Sequence, residues 1–180
     1  MDSNKKVSYK LGYEETTFIG LLKISGFKSI FNFSMLYSLL LTAALGTLIF
    51  QKNYLFVYKL AENLSPILLG AAATIFGIVL AALAVSISLF HPSVLYSLLE
   101  VKLLHKYLFP FWKAVSMWGI NILLNLLLII IVIAELKLKY SIEVLFTLNF
   151  FLFTYSTLYT VRLTGEIIRL TLQRAQLKLQ

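Results

Sequence analysis

Residues 66–90 read PILLGAAATIFGIVLAALAVSISLF, 25 consecutive residues without a charged side chain. A helix needs roughly 20 apolar residues to cross a hydrocarbon layer about 30 Å thick. This run exceeds that length. It shows no period-2 alternation of a barrel strand, and an open strand edge cannot be left in lipid. The run therefore reads as a membrane-spanning helix. Ser65 in front of it suits an N-cap and Pro66 a first helical position.

Three further runs have the same character: FNFSMLYSLLLTAALGTLIF at about 31–50, FWKAVSMWGINILLNLLLIIIVIA at about 111–134, and IEVLFTLNFFLFTYSTLYTV at about 142–161. The composition agrees, with 59% hydrophobic and 13% charged residues and a mean hydropathy of +0.86. A water-soluble chain of 180 residues must cover a large surface-to-volume ratio with polar groups, and this one has too few. Residues 31–50 follow a charged tail and precede three more runs. They read as a retained span rather than a leader cleaved after Thr42-Ala43-Ala44. The predicted fold class is all-α: an integral membrane four-helix bundle forming one domain over 1–180.

The net charge of +8 is informative through its placement. With four spans both termini share a side, and that side collects Lys5, Lys6, Lys10, Lys23, Lys28, Lys102, Lys106, Lys113, Arg162, Arg169, Arg174 and Lys178. The other side holds Lys52, Lys59, Lys137 and Lys139. Twelve against four places the termini and the middle loop of this multi-pass protein in the cytoplasm. The other connections, 51–64 and 135–141, are too short for an external domain. Amphipathic interfacial helices are expected on the cytoplasmic side at about 17–29 and 93–108, with a cytoplasmic helical extension over 162–180.

Within the spans, Gly70, Thr74, Gly77, Ala81, Ala84 and Ser88 recur at alternating spacings of four and three, a seam of small residues along one helix face. Small residues let another backbone come close, which is how helices associate in lipid. The seam fits packing within the protomer, packing against a neighbouring subunit, or the lining of a pore. Asn121 and Asn125 lie one turn apart on the third run, and Asn149 and Thr154 sit at overlapping depth on the fourth. An amide in hydrocarbon needs a partner, so this polar intramembrane face implies interhelical hydrogen bonds or a conduit for ions or small solutes. Val161, Gly165, Ile168, Leu172, Ala175 and Leu179 form a second seam on the C-terminal extension. Lys102, Lys106, Arg162, Arg169 and Arg174 give the cytoplasmic side a basic surface, and Glu166 can pair with Arg162 and Arg169.

The residues argue against catalysis. Cysteine is absent, Asp occurs once, and the two histidines, His91 and His105, stand fourteen residues apart at the cytoplasmic edge. No carboxylate pair, serine–histidine arrangement or glycine-rich phosphate loop occurs. The sequence thus points to no enzyme, no cofactor and no metal. His91 reads as a polar cap, and His105 as part of the solvated face of the interfacial helix. A nucleic-acid partner is disfavoured, since the charges sit between apolar runs rather than on one patch.

The segment FGIVLAALAVSISLFHPSVLYSLLE, residues 76–100, resembles small four-span proteins encoded in bacterial antiphage loci, such as CRISPR-associated membrane accessories and the membrane component of Kiwa-type systems. That resemblance implies a homo-oligomer acting at the inner membrane beside a cytoplasmic protein partner. Two functions are expected from the sequence. The first is a homo-oligomeric pore-like or membrane-perturbing component of a defence system. The second is an anchor or scaffold whose basic inner face recruits a cytoplasmic partner.

Overall fold

The computed structural model describes residues 20, 32–52, 54–88, 103–134 and 139–177. Its four helices are α1 (Phe33–Phe50), α2 (Tyr54–Ser88), α3 (Leu103–Ile133) and α4 (Lys139–Leu177). No strand occurs among the described residues. Three helices contain segments long and apolar enough to cross a membrane: Leu55–Ser88, Leu104–Ile133 and Ser141–Arg169. With 18 residues, α1 reaches about 27 Å at 1.5 Å per residue. It is apolar but the shortest of the four.

Asn32 starts α1. Its backbone is extended, and its side chain accepts from the N–H of Met35 at 3.1 Å, meeting one donor that a helix start leaves unpaired. The start of α2 differs from the sequence expectation. The helix begins at Tyr54 and runs through Pro66 without a break, so Ser65 is a buried mid-helix residue, not a cap. A proline in a helix interior costs about 3 kcal/mol and takes away one backbone N–H. Packing outweighs that loss, because Val57, Ala61 and Ser65 before the proline carry on the buried face that Ala72 and Val79 continue after it.

Part of the expected interfacial helix is absorbed in the same way. Residues 103–108 are continuous with the third run through Pro110, held there by burial of Leu104, His105, Phe109 and Phe111. Residues 93–102 of that expected helix, and 17–29 apart from helical Gly20, lie outside the described residues. The fourth run and the helical extension form one helix of 39 residues.

Helix α4 touches α1, α2 and α3, while α2 packs most extensively along α3. The interior has two apolar clusters. One gathers Ile49, Val57, Ala61, Leu128, Ile131, Val132, Ile142 and Phe146. The other gathers Ala72, Val79, Phe111, Ala114, Val115, Trp118, Tyr159 and Leu163. Cross-links fix the register of the helices. The hydroxyl of Tyr58 donates to the carbonyl of Val132 at 2.8 Å, and the indole N–H of Trp118 donates to Thr160 Oγ1 at 2.9 Å.

The outside is apolar. Leu36, Leu39, Leu40, Leu41 and Leu48 of α1 are exposed, whereas Ser34, Ser38, Thr42 and Gly46 are buried. That reverses the pattern of a helix on a water-soluble protein and suits a lipid surround.

Candidate functional site

Between the two clusters lies a knot of asparagines. Asn121 and Asn125 on α3 and Asn149 on α4 are each 0% exposed. Asn121 Nδ2 donates to the carbonyl and Oδ1 of Asn149, both at 3.2 Å. Asn125 Nδ2 donates to the carbonyl of Asn121 at 2.9 Å, to its Oδ1 at 3.0 Å, and to Asn149 Oδ1 at 3.2 Å. Asn149 Nδ2 closes the set on Asn125 Oδ1 at 2.8 Å. Every amide oxygen accepts and every amide nitrogen donates within the knot. The geometry is therefore that of interhelical hydrogen bonding, with no amide oxygen turned to a conduit. Thr154, grouped with these residues from the sequence, takes no part in these bonds. At five residues beyond Asn149 it stands well round the helix at 100° per residue.

Among the described residues, the small-residue seam of α2 makes no close contact inside the protomer. Gly70, Thr74, Gly77, Ala81, Ala84 and Ser88 are all exposed, and a Cβ added at Gly70 or Gly77 would meet nothing within 4 Å. Of the three uses open to the seam, packing within the protomer is the one that this exposure disfavours. Helix α2 has a second set of small residues, Ala61, Ser65 and Ala72, and that set is buried. Only 11% of the most apolar window of α2 is buried, against 33% for α3. The seam hydroxyls need no outside partner: Thr74 donates to the Gly70 carbonyl at 2.9 Å and Ser88 to the Val85 carbonyl at 2.8 Å.

A stripe that the sequence reading missed is used instead. Ser34, Ser38, Thr42 and Gly46, spaced by four, are buried on α1, which packs on α4. A Cβ at Gly46 would lie 3.8 Å from Thr147 Cγ2. The spacing itself was the available signal.

Two ionisable residues also stand where the sequence did not put them. Lys113 is buried, with Nζ 4.3 Å from the Tyr159 ring centre and 5.3 Å from that of Tyr155, a cation held over aromatic faces. His105 is buried rather than solvated, because it lies on the face of α3 that also buries Leu104 and Phe109. Among the described residues its Nδ1 has no hydrogen-bond partner, nor do the buried hydroxyls of Thr42, Ser65 and Ser156.

Of the basic surface, Lys106, Arg162 and Arg169 are exposed, and Arg162 Nε donates to Glu166 Oε1 at 3.2 Å. Arg174 lies on α4, and Lys102 lies outside the described residues. In the second seam, Val161, Gly165 and Ile168 are exposed as well. Leu172 and Ala175 lie farther along α4, and Leu179 is outside the described residues. Among the described residues no three His, Asp or Glu side chains gather as a metal site would require.

An all-helical chain with three such apolar helices, polar side chains turned inward and leucines turned outward, has the build of a helical membrane protein. No known protein family, characterised protein or solved structure matches it.

Proposed function

We propose that this chain is a four-span inner-membrane protein, both termini cytoplasmic, that works as a homo-oligomer joined along the outward seam of α2. Its permeation path, or its disturbance of the bilayer, arises between copies rather than through one protomer. The observation that carries this reading is the exposure of all six seam residues. A continuous face of small side chains with internally satisfied hydroxyls allows a second backbone to approach closely in lipid. The closed asparagine knot supports the same reading, because it fills the middle of the protomer with bonded amides. The resemblance of residues 76–100 to membrane proteins of antiphage loci is what supports a role in defence.

The test is reconstitution into dye-loaded vesicles, with oligomer size measured in mild detergent. The wild-type chain is expected to form an oligomer and release dye. Gly77→Leu is expected to lower release about tenfold or more by breaking a contact worth at least about 1.4 kcal/mol. A monomeric wild-type chain that leaves the dye inside would refute the proposal.

One observation favours the second reading, an anchor that recruits a cytoplasmic protein. Helix α4 continues past its apolar segment, Ser141–Arg169, to Leu177, with Arg162 and Arg169 near the end of that segment and Arg174 beyond it. Sealed vesicles together with specific capture of an acidic soluble partner would select it.

A further inference from the structure

An open groove of about 610 Å³ lies at the start of α1, lined by Asn32, Phe33, Met35, Leu36, Leu39 and Arg162. The register of the helices brings these residues together. Gly46 stands by Thr147, and with α1 and α4 antiparallel the first turn of α1 comes beside the turn of α4 that follows Tyr159. Phe33, Leu36 and Leu39 follow one another at spacings of three, and all are exposed. They form an apolar track about 9 Å long along α1, at 1.5 Å per residue.

The polar end of the groove is positive. Arg162 carries five N–H donors in a fixed fork, and Glu166 engages it at Nε. The start of α1 adds the partial positive charge of a helix N-terminus, with no acidic residue in its first turn. Among the described residues, Glu166 is the carboxylate that meets Arg162.

We infer that the groove holds one anionic phospholipid of the inner leaflet. Its phosphodiester accepts from the Arg162 guanidinium beside Asn32, and an acyl chain lies along Phe33, Leu36 and Leu39. The apolar track selects a lipid over a free phosphate. Glu166 meets the guanidinium at Nε alone, so the rest of the fork and the helix start select a headgroup without an ammonium. The inference rests on the cytoplasmic placement of the start of α1 and goes beyond the assembly reading, since the groove and the α2 seam share no residue.

The test is native mass spectrometry of the full-length protein in mild detergent, with phosphatidylglycerol or phosphatidylcholine added at equal concentration. One phosphatidylglycerol per chain is expected, retained about tenfold better than phosphatidylcholine, as a charge-assisted contact to phosphate implies. Arg162→Ala should erase most of that preference. Leu36→Trp, which fills the groove and leaves the charge alone, should lower retention of both lipids. Glu166→Gln removes the competing negative charge and should raise phosphatidylglycerol retention, so the inference stays testable if Arg162→Ala folds poorly. Lys59→Ala, exposed and outside the groove, should change nothing.

Equal retention of the two lipids would overturn the inference. So would a loss on Lys59→Ala as large as that on Arg162→Ala, which would mean general surface charge. Displacement of the lipid by millimolar inorganic phosphate would reduce the site to an anion site and overturn it too. The same spectra report oligomer size, so loss of lipid from an intact oligomer separates this inference from the assembly reading.

Discussion

On α1, the small residues Ser34, Ser38, Thr42 and Gly46 are buried on a helix that packs on α4. On α2, the small residues Gly70, Thr74, Gly77, Ala81, Ala84 and Ser88 stay exposed. Both stripes have the spacing that lets backbones approach in lipid, and both sit on apolar helices. What separates them is the rest of each helix. The other faces of α1 carry Leu36, Leu39, Leu40, Leu41 and Leu48, so its small face is the one suited to close contact. Helix α2 has small residues on two faces and spends the set at Ala61, Ser65 and Ala72 inside the protomer. A small-residue stripe therefore says that a backbone can come close and leaves open whose backbone it is.

If the interior is set by the α1 stripe and the asparagine knot, disturbing either should cost more than disturbing the α2 seam. The largest loss is expected for Asn149→Leu. It removes the acceptor used by Asn121 and Asn125 and leaves their amides short of partners. Reversible unfolding in mixed micelles should show a loss of about 2–3 kcal/mol. A loss below about 0.5 kcal/mol would mean that water or lipid reaches the knot.

Next comes Gly46. Leucine there must displace Thr147 or shift α1, at a cost of about 1–3 kcal/mol. Alanine, whose Cβ would meet Thr147 at an ordinary 3.8 Å, should instead raise stability by about 0.5–1 kcal/mol through helix propensity. A loss for both variants in the same unfolding assay would mean closer contact than this. The smallest effect on the protomer is expected for Gly77→Leu. With open space around it, the monomer should lose no stability and gain at most about 0.5–1 kcal/mol through helix propensity, while oligomer size falls. Destabilisation of the monomer by more than 1 kcal/mol, on the scale of the Gly46→Leu loss, would erase the contrast between the stripes.

The long apolar helices were legible in the sequence because span length is a one-dimensional property. The runs at 66–90, 111–134 and 142–161 each fall largely within a helix found in the structure. The pairing of Asn121 with Asn125 was legible for the same reason, since one turn of helix places them on one face. Their meeting with Asn149 followed from the cost of a lone amide in hydrocarbon. The continuity of α2 through Pro66 was not legible. Local rules favour a start at proline, and the opposing term is packing against α3, which no local pattern contains. The burial of His105 was missed for a related reason, as it depends on α3 extending back through Pro110. The seam of α2 was found as a pattern, but which side it faces depends on the competing small face at Ala61, Ser65 and Ala72.

The central claim is that the α2 seam meets a second copy of the chain. Because the chain has no cysteine, single cysteines report contacts cleanly. Gly77→Cys should be oxidised in native membranes and compared with Ile120→Cys. Ile120 is exposed on α3 at similar depth, since its neighbour Gly119 stands by Phe76. A disulfide requires Cα atoms within about 7 Å. The account predicts a disulfide-linked dimer for Gly77→Cys and monomer for Ile120→Cys. Monomer at Gly77→Cys, or equal cross-linking at both positions, would contradict it.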